Sequence, residues 1–244
     1  MTQYVPLEDN REFKILDIQD GRCTNLNRLD KVFLIAFMSM DGMLQTDITV
    51  VVKNQGMLLK AIPPVNEGYN ATILCGRFTN RANDQVMLSL RSGYGGGQTF
   101  HYLFDFFSPE ISILFDAKNI NLQSYYRADF CDGYKVIITN ELTKEKHLID
   151  LKYKQKVYLK SIYDENGTLK EGTSGEIHAI RDMLPVYSEE FKRFQLLAYQ
   201  RITGLNNTDT LGYLVTRLNW NGFEFHPIDV YTTVMPLKRQ MQSN

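Results

Sequence analysis

Four of the chain's 16 glycines, Gly93, Gly95, Gly96 and Gly97, fall within five residues of the stretch "SGYGGGQTFH" (92–101). Such a run could cradle a phosphate. A dinucleotide fingerprint needs three glycines at fixed spacing between a strand and a helix. Gly93 and Gly95 fit the first two positions, but the third falls on Gln98. The residues that follow, "QTFHYLFDF", read as a strand, so no helix N-terminus would face an anion. No Lys-Ser or Lys-Thr pair follows either, which removes the P-loop. The run therefore reads as a hairpin tip between strands at 85–91 and 99–106. Tyr94, Gly95 and Gly96 become candidate contacts with a partner, since loops carry much of binding.

The remaining chemistry-bearing residues are dispersed. His101, His147, His178 and His226 stand far apart, with no zinc-ligand spacing among them. Cys23, Cys75 and Cys131 form neither a CxxC motif nor an even set for a disulfide framework. There is no Gly-x-Ser-x-Gly elbow. Carboxylate pairs need no local spacing, so they survive as an enzyme reading. Asp105, Asp116, Asp129 and Asp132 lie in aromatic surroundings, "LFDFFSPE" and "YYRADFCDG". Tyr125, Tyr126, Asp129 and Asp132 are thus the candidate contacts of a carbohydrate-binding β module or a glycoside hydrolase. No cofactor or metal is expected.

Basic residues interleave aromatic ones in "KYKQKVYLKSIY" (152–163), where Lys152, Lys154, Lys156 and Lys160 cluster. A nucleic-acid surface could look like this. The net charge of the whole chain is −1, which argues against general nucleic-acid binding. The stretch reads instead as an edge strand whose lysines discourage unwanted pairing.

The elements that would position these residues are mainly strands. Asp41-Gly42, Asp132-Gly133, Asn166-Gly167 and Asn221-Gly222 are each flanked by β-branched and aromatic residues. Such pairs supply the positive φ of two-residue hairpin turns. Further strands are expected at 13–18, 57–62, 71–76, 85–91, 99–106 and 147–153. The fold class is mainly β: an antiparallel, hairpin-rich sandwich or barrel. One helix is expected at about 188–203, where Ser188 could cap, Phe191, Phe194, Ala198 and Ile202 fall on one face, and Gly204 closes. A shorter stretch, "SPEISILFDAK", fits a helix from Ser108 and Pro109 or a strand. Domains are read as 1–184, an antiparallel β domain with a sub-boundary near 62–70, and 185–244, a helix with a hairpin and tail.

With 43% apolar and 23% charged residues, the composition is that of a folded domain. The opening residues lack a basic stretch followed by an apolar run, and no window suits a membrane-spanning helix. The pattern of hairpins, aromatic faces and dispersed reactive groups points to a non-enzymatic structural or assembly protein. Its partners would be other protein subunits in a homo- or hetero-oligomer. A bacteriophage neck, tail or baseplate component, assembled in the host cytoplasm and located in the virion, is the concrete expectation. The tail "VYTTVMPLKRQMQSN" offers Met235, Leu237 and Met241 as further interface candidates.

Overall fold

The computed structural model describes residues 13–40, 42–92, 99–108, 110–120 and 122–234. The chain is mainly antiparallel β, as the hairpin signals require. Two contact units divide it. The first holds the described residues up to Ala117 together with Tyr187–Phe194 and Trp220–Glu224. The second holds Lys118–Val186, Gln195–Asn219 and the described residues from Phe225.

The first unit contains two four-stranded sheets. β1 (Phe13–Gly21), β2 (Asp30–Met38), β3 (Gln45–Asn54) and β4 (Met57–Ala61) run in sequence order. So do β5 (Tyr69–Gly76), β6 (Gln85–Arg91), β7 (Thr99–Asp105) and β8 (Ser112–Asp116). Alternation explains how they pack. Val32, Leu34 and Ala36 share one face of β2, as do Ile48, Val50 and Val52 on β3. Val86, Leu88 and Leu90 on β6, with Tyr102 and Phe104 on β7, enter the same buried cluster. One apolar core therefore lies between the two sheets, the arrangement of a sandwich. The Gln19 carboxamide ties β1 to β5: it donates to the Ile73 carbonyl at 2.7 Å and accepts from the Cys75 amide at 2.8 Å. A side chain here reproduces the bonding of a β-ladder across the open edge.

In the second unit, seven strands form one sheet of order β11-β10-β9-β12-β13-β14-β15. They are β9 (Tyr126–Cys131), β10 (Lys135–Asn140), β11 (Lys146–Asp150), β12 (Ser174–Ser188), β13 (Arg193–Thr203), β14 (Thr210–Trp220) and β15 (Phe225–Thr233). The outer strands β11 and β15 approach each other, so the sheet nearly closes into a barrel. Phe130, Val136, Ile138, Ile149, Ile202 and Leu214 fill its interior. The helix α1 (Lys156–Ile162) contributes Ile162 to this core, followed by Tyr163. The domain boundary read between residues 184 and 185 falls inside β12.

Three turn pairs behave as their glycines demand. Gly133 joins β9 to β10 at φ +79°, and Gly222 joins β14 to β15 at φ +115°. Gly42 sits between β2 and β3 at φ +71°, while Asp41 lies outside the described residues. Asn166-Gly167 does not connect two strands of a sheet. It follows α1 and is closed by the isolated bridge Tyr163–Leu169. A further pair, Gln55-Gly56, turns β3 into β4 with φ of 45° and 88°. The glycine run connects β6 to β7, whose ladder reaches Arg91–Thr99.

Two local expectations are corrected, and one open alternative resolves to a strand. The helix expected at 188–203 is a turn followed by β13. Leu196, Ala198, Gln200 and Ile202 point inward at period two, and Gln200 at a buried position disguised that alternation. Ladder bonds to β12 and β14 outweigh local helix propensity. Ser188 does cap, but it caps the turn: its Oγ accepts from the Phe191 amide at 3.3 Å. The stretch from Ser112 is strand β8. The lysine-bearing segment is not an edge strand but a loop leading into α1.

Candidate functional site

The lysine segment builds the wall of a groove in the second unit, about 820 Å³ in volume. After β11 the chain turns through Lys152 and Lys154, enters α1 at Lys156 and leaves it at Tyr163. Lys156, Leu159 and Lys160 occupy positions i, i+3 and i+4, which share one helix face. All three line the groove. Tyr134, Tyr163, Asp164, Glu165 and Lys170 complete the lining.

Two glycine turns hold the opposite wall. The Gly133 amide donates to the Gly167 carbonyl at 2.8 Å, so the Asp132-Gly133 and Asn166-Gly167 turns dock on each other. Asp132 Oδ1 accepts from the Leu169 amide at 2.8 Å. Asp164 Oδ1 accepts from the Asn166 and Thr168 amides at 2.9 and 2.8 Å, closing its own turn. Gly167, at φ +80°, lies under the Tyr134 ring, where a Cβ would come within 3.0 Å of the ring. Tyr134 packs edge-to-face with Tyr163 at a centroid separation of 5.0 Å. The Tyr163 hydroxyl donates to the Lys135 carbonyl at 3.1 Å, and burial pushes its pKa up to about 12.

Beneath the lysines sits a largely buried charge network. Lys154 Nζ contacts Asp209 Oδ1 at 2.8 Å and donates to the Thr210 carbonyl at 3.0 Å. The Tyr158 hydroxyl donates to Asp209 Oδ2 at 2.5 Å, and the Leu205 amide donates to the same oxygen at 3.1 Å. Lys154 also lies 4.9 Å from the Tyr158 ring centroid and 5.7 Å from that of Tyr153. The Tyr153 hydroxyl donates to the Leu211 carbonyl at 2.7 Å. Burial, then the nearby Asp209 charge, raise both phenols; Tyr153 reaches about 12. The network fixes the base of the loop from which the exposed lysines project.

The glycan candidates are placed differently from one another. Tyr125 is exposed at the end of a short 3-10 helix, Leu122–Tyr125. Tyr126 begins β9 half-buried, and burial raises its phenol pKa above the ordinary value. Asp129 pairs with Arg127, Nε to Oδ2 at 3.0 Å. Asp132 is occupied in the turn just described. Alternation sends Tyr126 and Asp129 to opposite faces of β9, so the four do not converge. Of the other acids, Asp105 is buried on Arg81 and on Asn83 Nδ2 at 2.8 Å. His101 is buried with ring nitrogens 2.8 Å from Ser89 Oγ and 2.8 Å from Thr99 Oγ1. Tyr94, Gly95, Gly96, Met235, Leu237 and Met241 lie outside the described residues. Among the described residues no three His, Cys, Asp or Glu side chains group as a metal site, and no helix is long and apolar enough to cross a membrane.

Lys170, Glu165 and the anchor Asp209 were missed in the sequence. The lysine run was the signal, but its groove depends on a turn docked from β9–β10 and on an acid 55 residues away.

No solved structure matches the chain at a significant level. Residues 124–233 match the YybI C-terminal domain, a range that runs from just before β9 to the end of β15. The Bacillus subtilis (strain 168) protein named "Uncharacterized protein YybI" is 30% identical over 211 residues, covering 84% of this chain and 79% of that protein. That match reaches well beyond the C-terminal domain, and on it the chain belongs to the YybI family.

Proposed function

We propose that the chain is a non-enzymatic assembly protein that works through protein–protein contacts in a multi-subunit particle. The observation that carries this reading is the sheet β1–β4. Both of its outer strands display large apolar side chains: Phe13, Ile15 and Ile18 on β1, and Met57 and Leu58 on β4. Exposed Ile62 continues the β4 patch. An open edge bearing apolar residues invites pairing, and β4 carries only Lys60 as a charged guard. Burial on a neighbouring subunit resolves the liability. The engagement of Asp129 with Arg127 and of Asp132 with the Leu169 amide favours a structural use of these acids over hydrolysis.

The particle we propose is a bacteriophage neck, tail or baseplate, assembled in the host cytoplasm. Sedimentation velocity tests the general reading: the chain should associate at micromolar concentration, and Leu58→Glu should shift it toward monomer. A monomer at every concentration ends the assembly reading. Immunogold labelling of purified phage particles tests the virion assignment, and cellular structures labelled in place of particles would replace it.

A further inference from the structure

The lysine groove has chemistry that assembly through β1 and β4 does not use. Five lysines line it against two acids, on a chain whose net charge is −1. Lys154 is committed to Asp209, but Lys152, Lys156, Lys160 and Lys170 are exposed around the opening. Two constraints narrow the ligand. First, the tyrosines offer walls rather than stacking platforms: Tyr163 is buried, and Tyr134 is packed between Tyr163 and Gly167. A ligand recognised by its rings, nucleobase or sugar, gains little here. Second, the cations are lysines, point charges on flexible stems, with no arginine fork in the lining to demand one planar carboxylate. Their spacing is serial. Lys156 and Lys160 lie one helical turn apart, about 6 Å along the axis. Lys152 lies before them, and Lys170 comes back alongside α1, its Nζ donating to the Lys160 carbonyl at 2.6 Å.

We propose that this groove binds a linear polyphosphate, a ligand that offers closely repeated negative charge without rings. The exposed ammonium groups donate to successive phosphate oxygens. Asp164 and Glu165 are the opposing charges in the lining, the Asp164 Oδ1 held by its own turn's amides and Glu165 exposed. The site is independent of the assembly surface, which lies on other strands.

The test is calorimetric titration of the full chain with inorganic tripolyphosphate at low ionic strength. Binding should strengthen with phosphate chain length and weaken as salt rises, because exposed charges are screened. The double variant Lys156→Ala with Lys160→Ala should weaken it about tenfold, the effect of losing two exposed ion contacts. Glu165→Gln should tighten it. Lys31→Ala, on β2, should leave it unchanged. Absence of binding, or binding indifferent to Lys156 and Lys160, overturns the proposal. Tighter binding of a single-stranded oligonucleotide of equal charge overturns it too, since base contacts would then be at work.

Discussion

Lys154 and Asp209 meet at 2.8 Å with their side chains only 16% and 10% exposed, although 55 residues separate them. The pair joins the loop after β11 to the turn before β14. The carboxylate also accepts from Tyr158 and from the Leu205 amide. Removing one member leaves an uncompensated charge in a poorly hydrated place. Asp209→Ala should therefore cost about 3 kcal/mol, the usual effect of breaking a buried pair. Replacing both members, Lys154→Met with Asp209→Leu, should cost less than Asp209→Ala alone. Urea unfolding of the three variants measures this, and a larger loss in the double variant would contradict the account.

How much of this was readable in advance depends on whether the deciding contacts are local. The Asp-Gly and Asn-Gly pairs announced an antiparallel β protein because the turn and its flanking alternation lie within a few residues. Gln55-Gly56 belongs to the same class of signal, with glutamine standing where asparagine or aspartate is usual. β13 was misread because buried Gln200 interrupts the apolar run of its inward face, while Phe191, Phe194, Ala198 and Ile202 happened to fall at helical spacing. α1 was hidden for the opposite reason. It has seven residues and no side-chain N-cap, and it is held by Ile162 and Tyr163 in the barrel core rather than by propensity. The groove was visible only as a run of lysines; Asp209, Lys170 and the docked turns that shape it come from distant parts of the chain.

Two glycines three residues apart separate backbone crowding from loop freedom. At Gly175, which pairs with Ala128 on β9, an added Cβ would overlap the Thr203 carbonyl oxygen. At Gly172 it would meet nothing within 4 Å. Backbone atoms on a paired strand cannot step aside as a flexible side chain can. Gly175→Ala should cost about 2 kcal/mol through overpacking. Gly172→Ala should lie within about 0.5 kcal/mol of the parent, as for surface substitutions away from special features. Chemical denaturation of the two variants side by side is the check, and equal midpoints would refute the crowding at Gly175.

The phenols of the second unit set an alkaline limit. Tyr153 and Tyr163 both have pKa values near 12 in the folded chain against an ordinary value of 10.0, chiefly because burial disfavours the phenolate. A pKa raised on folding means that the unfolded chain releases its protons first as pH rises. The stability these groups contribute is then fully present below pH 10 and is lost between about pH 10 and 12. Unfolding midpoints should fall steeply across that window, with tyrosinate absorbance lagging behind that of exposed tyrosines until the fold opens. Tyr153→Phe deletes one of several proton-linked phenols, Tyr158 and Tyr163 among the rest, and should make the decline shallower, at the expense of the hydrogen bond to the Leu211 carbonyl. If the decline keeps its slope in Tyr153→Phe, the buried phenol is not what couples alkaline pH to the fold.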